Sequence, residues 1–428
     1  MQPKKDRIRP FEPALYALLG ALLGAVVGAV IVLFGRGVEF CAGYGAAHFS
    51  LYVWFLPVVG LLTAAMLRRW GQGPVGMAAA FRASRGEEKN YPLRNALFQF
   101  AGTWGAHLFC ASVGREGAGV QIGAAIGGNI GARVPLAGAD KILLVAGMAA
   151  GFSALFGTPV CALFFALEVT VVGTLRLRAL VAAAFASFTA WAVALLCGYG
   201  AHAAEVSVAL SWSVPLLLRL LVLGAACGVA GLLFCLLRRA FAAFFRTAAP
   251  DPLARAALAG LLLAALLYCT GGRYSGLGTN LIDLALAGNV APHDWLVKMA
   301  FTAAFLSAGF LGGEVTTFFA AGACLGCAMS GLLGLPPALA ACLGYAAVFG
   351  AATNTLIAPV LLCVELFGGG LLPYAAVVCV AAYLFNFGHS VYDQRVREDI
   401  VRAAAARLAP RKKLLPLPRP LYPDRRAR

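Results

Sequence analysis

Two acidic stretches of this 428-residue chain could do chemistry. The first is "VGREGAGVQIG", residues 113–123, where Arg115 and Glu116 stand side by side among four glycines. The second is "GGEVTTFFAAGACLG", starting at Gly312, where Glu314 follows two glycines and precedes an apolar run. Gly114–Gly117 and Gly312–Gly313 each allow a tight turn and then an immediate helix start. A helix start leaves unpaired N–H groups and a partial positive charge, which together bind an anion without a formal cation. A carboxylate can stand in for that anion and swing out once it takes a proton, so Glu116 would be a gate and a proton carrier at once. The residues alone leave a second reading open, in which Arg115 and Glu116 are two charges in a solvated loop.

The elements that must position these residues are membrane helices. Hydrophobic residues make up 61% of the chain and charged ones only 12%, far from the globular balance of about a quarter charged. Apolar runs such as Ala14–Phe34, Leu220–Leu237, Ala256–Leu267 and Leu371–Phe387 have the length of spanning or half-spanning helices. The expected fold class is an all-α polytopic membrane protein. Its expected organisation is a cytoplasmic segment over 1–13, a transmembrane domain over 14–405, and a basic cytoplasmic tail over 406–428.

The net charge of +16 does not point to nucleic acid. Lys4, Lys5, Arg7 and Arg9 precede the first span, and Arg411, Lys412, Lys413 and Arg425 follow the last. The positive-inside rule then puts both termini in the cytoplasm. No metal or cofactor is expected: the close pair Cys324 and Cys327 is two thiols short of a structural zinc site. An intramembrane enzyme is a remote alternative, because neither H-E-x-x-H nor G-x-S-x-G occurs.

The chain also resembles itself. Glu116 and Glu314 match 198 residues apart. "GMAAGFSALFGTPVCALFFALEV" from Gly147 matches "GYAAVFGAATNTLIAPVLLCVEL" from Gly344, which pairs Glu168 with Glu365, 197 residues apart. Two blocks at nearly one offset indicate a duplication, with repeats of roughly 14–200 and 210–400. Duplicated halves with glycine-interrupted helices are typical of transporters, whose site lies where broken helices meet. The halves could be parallel or inverted. Glu168 and Glu365 read as helix-end residues with a capping or interface role.

"GREGAGVQIG" resembles the glutamate-gate signature of the CLC chloride channels and proton-coupled anion antiporters, and "GGEVTTFF", "FGTPVCALFFALEV" and "GHSVY" are similar to that family's other motifs. The resemblance covers roughly Ala14 to Arg397. It implies a homodimer with one pore per subunit, each built as an inverted repeat of tilted and broken helices, in the plasma or inner membrane. It makes Glu116 the external gate, in the anion-binding setting of Gly114, Arg115 and Gly117. Chloride/proton exchangers carry a second acid where Val169 follows Glu168. Glu314 and Thr316 resemble instead the bacterial branch that exports fluoride in exchange for protons, with Glu314 on the proton path and Thr316 at the anion site. A chloride channel or chloride/proton antiporter is the alternative. Fluoride holds its water tightly, and the Thr316 hydroxyl and Tyr392 phenol are suitable replacement donors. In the first pore loop, "WGQGPVGM", Gln72 would supply an amide N–H or leave that task to the backbone.

Overall fold

A computed structural model describes residues 11–71, 76–88, 91–200, 205–206, 210–392 and 394–396. Gln72, the first ten residues and the basic tail lie outside the described residues. The first half contains α1 (Glu12–Ala47), α2 (Phe49–Tyr52), α3 (Leu56–Trp70), α4 (Gly76–Arg85), α5 (Arg94–Leu108), α6 (Glu116–Gly131), α7 (Ala139–Phe156), α8 (Pro159–Glu168) and α9 (Leu180–Leu196). The second contains α10 (Val214–Ala248), α11 (Pro252–Cys269), α12 (Thr279–Leu286), α13 (Asp294–Ala308), α14 (Val315–Leu333), α15 (Pro337–Thr353), α16 (Ile357–Phe367) and α17 (Leu372–Phe385). Seven helical stretches among the described residues are long and apolar enough to cross a membrane. The chain is a multi-pass membrane protein.

Apart from the short α2, which has no mate among the described residues, the halves repeat each other in order, from α1 with α10 and α3 with α11 to α9 with α17. Within the halves α1 packs on α9 as α10 packs on α17, and α6 packs on α7 as α14 packs on α15. The halves are inverted, because mates run antiparallel where they meet. Pro57 at the start of α3 lies against Gly260 in α11, while Arg68 near the end of α3 meets Asp251, the cap of α11, at 3.5 Å.

Small residues explain the central packing. Gly119, Gly123, Gly127 and Gly131 recur every fourth residue on α6, so they share one face. A Cβ on Gly123 or Gly127 would overlap the α7 carbonyls of Gly147 or Leu143. Gly322 and Gly326 do the same on α14 against Gly344 and Ala340 of α15. Glycine lowers helix propensity by about 1 kcal/mol, but lipid gives helices no hydrophobic reason to associate, and close backbone approach supplies the packing instead. The four helices are buried along most of their length.

A short parallel pairing of β1 (Val171–Val172) with β2 (Arg395–Val396) ties the segment after α17 to the one after α8. The Gln394 amide donates to the carbonyls of Val169 (2.9 Å) and Thr353 (2.7 Å), and the Val391 N–H donates to the Ala352 carbonyl. These bonds hold Tyr392 against the middle of the molecule.

Candidate functional site

The two glycine turns meet at the centre. Gly114 and Gly313 form an isolated antiparallel bridge, the Gly114 N–H donating to the Gly313 carbonyl (2.5 Å) and the Gly313 N–H to the Gly114 carbonyl (2.7 Å). Neither position tolerates a side chain. A Cβ on Gly114 would lie 2.7 Å from Glu116 Oε2 and 2.8 Å from Thr316 Oγ1, and one on Gly313 would lie 2.6 Å from the Gly117 nitrogen. The bridge therefore sets the starts of α6 and α14 beside each other, and their unpaired N–H groups face one space.

Glu116 fills that space. Its side chain is fully buried, which removes the solvated-loop position. Oε2 accepts from the Arg115 N–H (3.0 Å), from the Thr316 N–H (3.1 Å), and in a very short bond from the Thr316 hydroxyl. Three donors from both repeats thus converge on one carboxylate oxygen. The other, Oε1, is buried without a hydrogen bond and lies 3.8 Å from Arg115 Nε. Buried polar groups in a membrane are costly unless satisfied, so the donor set is arranged for an anion.

Arg115 contributes through its backbone more than its charge. Its guanidinium pairs with Glu39 of α1 at 2.8 Å and lies over the Tyr199 ring, 5.9 Å from its centroid. Gly117 closes the far side, packed against Gly313.

Glu314 does not repeat the arrangement of Glu116. It caps the start of α14 without a side-chain hydrogen bond to that helix, is partly exposed, and lies in the field of Arg238 from α10. Tyr392 is buried with its ring edge on Phe81 (5.3 Å), and its hydroxyl faces Glu314 without a hydrogen bond of normal geometry. The structure thus brings Gly114, Arg115, Glu116, Gly117 and Thr316 into one shell, with Glu314 and Tyr392 as a second group beside it.

Glu168 and Glu365 cap each other's repeat. Glu168, ending α8, accepts from Leu356 N (2.5 Å), Ile357 N (3.1 Å) and Ala358 N (3.3 Å) at the start of α16. Glu365, near the end of α16, accepts from Val160 N (2.9 Å) and Cys161 N (2.7 Å) at the start of α8. Sequence reasoning missed Lys298 and the hydroxyls around it. The only signal was one lysine in the run "WLVKMAFTAAFL", four residues after Asp294, as in an ordinary surface pair.

Comparison with known proteins agrees with this architecture. The profile described as voltage gated chloride channel matches residues 59–386. The chain is 35% identical over 372 residues to the chloride/fluoride channel protein of Pseudomonas syringae pv. tomato, with 81% of each chain covered. A solved CLC-type fluoride/proton antiporter superposes with a TM-score of 0.89 at 39% identity, covering 91% of this chain and 100% of that one. A slow cyanobacterial chloride/proton antiporter superposes with a TM-score of 0.77 over 92% of this chain and 98% of its own, and at 16% identity it speaks to the fold alone.

Proposed function

The chain belongs to the voltage gated chloride channel family, and on that premise we propose that it moves halide anions across a membrane, exporting fluoride in exchange for protons. The observation that carries this reading is the convergence of the Arg115 N–H, Thr316 N–H and Thr316 hydroxyl on one oxygen of Glu116. Those donors do not distinguish a carboxylate oxygen from a halide. When Glu116 takes a proton it loses most of its attraction for them, swings out, and leaves them to the permeating ion. When the ion departs, the carboxylate returns. Anion and proton therefore exchange through one site.

Fluoride is favoured by the chemistry of the donors. A small, strongly hydrated ion needs strong short bonds to replace its water, and a hydroxyl beside two helix-start N–H groups provides them. The 35% identity to a chloride/fluoride channel protein and the 39% identity to a fluoride/proton antiporter support the same choice. Glu314, facing Tyr392, carries the inner part of proton movement. Glu168 is committed to capping α16 and is followed by Val169, which cannot titrate. Gln72 is the candidate inner donor.

In this reading the protein is a homodimer with one pore per subunit, sits in the plasma or inner membrane, and keeps both termini in the cytoplasm. Orientation is supported by Arg68, Arg69, Arg246 and Arg255, which gather around the Arg68–Asp251 contact at the end of the bundle where α3 turns back.

The test is efflux from proteoliposomes loaded in parallel with fluoride or chloride, with internal pH recorded. Fluoride should leave much faster than chloride and drive protons the opposite way. Chloride efflux equal to or faster than fluoride, or flux without proton movement, would replace this reading with a chloride transporter or a passive channel.

A further inference from the structure

One buried cation near the gate has no part in the proposed exchange of anion and proton. Lys298 of α13 is fully buried, and its ammonium donates to Ser112 Oγ (2.9 Å), the Tyr274 carbonyl (3.1 Å) and the Gly276 carbonyl (2.7 Å). All three partners are neutral. Among the described residues no carboxylate lies within ion-pair distance of it, whereas Arg115 has Glu39 and Arg273 has Asp294 (2.5 Å). Asp294, one turn before Lys298 on α13, is taken by Arg273, the Tyr274 hydroxyl (2.8 Å) and the Ala291 N–H (2.8 Å). An ammonium taken out of water with no counter-charge is expensive, so something else on the molecule must compensate its charge.

The setting identifies what. Ser112 precedes the gate turn by two residues, and its hydroxyl contacts Thr302 (3.3 Å), which contacts Thr317 (2.8 Å), the neighbour of Thr316. The loop above belongs to the end of α11, on the face away from the α3–α11 arginines. Gly278 closes this loop with φ +88°, and a Cβ there would lie 2.8 Å from Lys298 Cε. Lys298 lies in the field of the Glu116 carboxylate and beside the Cys324 thiol, and Lys298 and Arg115 both act on the buried imidazole of His107.

We propose that Lys298 is the fixed cation of the outer anion entrance: its buried charge holds a dehydrating halide at the site shared by Thr316 and Glu116, and Glu116 balances that charge when no halide is present. This rests on the reading of that site as the halide site. A fixed charge in a low-dielectric wall acts over several ångströms and attracts an anion without contacting it. Lys298 is therefore a positioning residue and not an anion ligand.

The experiment measures fluoride flux in proteoliposomes against fluoride concentration at one pH, for wild type, K298M, K298Q and S112A. K298M and K298Q should raise the half-saturating fluoride concentration about tenfold or more, with the maximal rate within a few-fold of wild type. S112A breaks the same hydrogen bond but keeps the charge, and should leave half-saturation within about twofold. Neutral variants that keep the wild-type half-saturation, or an S112A shift as large as theirs, would overturn the proposal. So would a failure of both neutral variants to fold while S112A folds, because the ammonium would then serve only to join two loops. Absence of fluoride flux in wild type would instead remove the halide reading on which the proposal stands.

Discussion

The molecule carries two pairs of matched glutamates, and they have had different fates. Glu168 and Glu365 remain equivalent: each ends a short helix and caps the start of its mate, so one contact is made twice across the inverted axis. Glu116 and Glu314 begin as equivalents, at the two strands of the Gly114–Gly313 bridge. They do not end so. Glu116 turns inward to receive donors from both repeats, while Glu314 stays at its own helix start facing Tyr392 and Arg238. Symmetry is kept where the scaffold must be held in lipid and broken at the site proposed to exchange an anion for a proton.

The strongest way to sharpen this contrast is to neutralise each member of the unequal pair. Glu116→Gln should abolish proton coupling, because an amide cannot shuttle a proton, even where passive anion movement continues. Fluoride-driven proton uptake by E116Q liposomes would sink the gate assignment. Glu314→Gln should impair coupled flux while the protein still assembles, and wild-type coupling in that variant would leave Glu314 a plain helix cap.

Next in size is Thr316→Ala. It removes one charge-assisted hydrogen bond of about 1.5–3 kcal/mol, so fluoride flux should fall roughly tenfold to a hundredfold with the fold intact. Tyr392→Phe should slow fluoride less, because its hydroxyl does not touch Glu116. An equal loss in the two variants would mean that the phenol shares the anion site.

The smallest effects belong to the symmetric pair. Glu168→Gln and Glu365→Gln should each cost about 1–2 kcal/mol of stability, the size of a lost helix cap, seen as matching drops in thermal midpoint in detergent with coupling unchanged. A loss of coupling in only one of them would show that this pair, too, has diverged.

Much of this was legible in the residues because it depended on spacing. Duplication, the acid at each glycine turn and the helix-end placement of Glu168 and Glu365 all follow from position along the chain. Partners across the fold do not. That Glu168 reaches Leu356 is a consequence of inversion, and inversion required counting spans through helices too short and broken to count. Asp294 and Lys298 have the four-residue spacing of an ordinary helix-surface pair, yet Asp294 turns to Arg273 because loop 270–278 folds back on it. Arg115 likewise gave no sign that Glu39, 76 positions away, would take its charge.

The central claim is that the Glu116 carboxylate occupies the place of the transported anion. Its most direct test is a calorimetric titration of fluoride into purified wild type and Glu116→Ala at the same pH. Removing the carboxylate leaves the Arg115 N–H, the Thr316 N–H and the Thr316 hydroxyl in place and removes their competitor, so E116A should bind fluoride more tightly than wild type by about tenfold or more. Weaker binding, or none, in a folded E116A would mean that the glutamate helps to hold the ion and does not stand in for it.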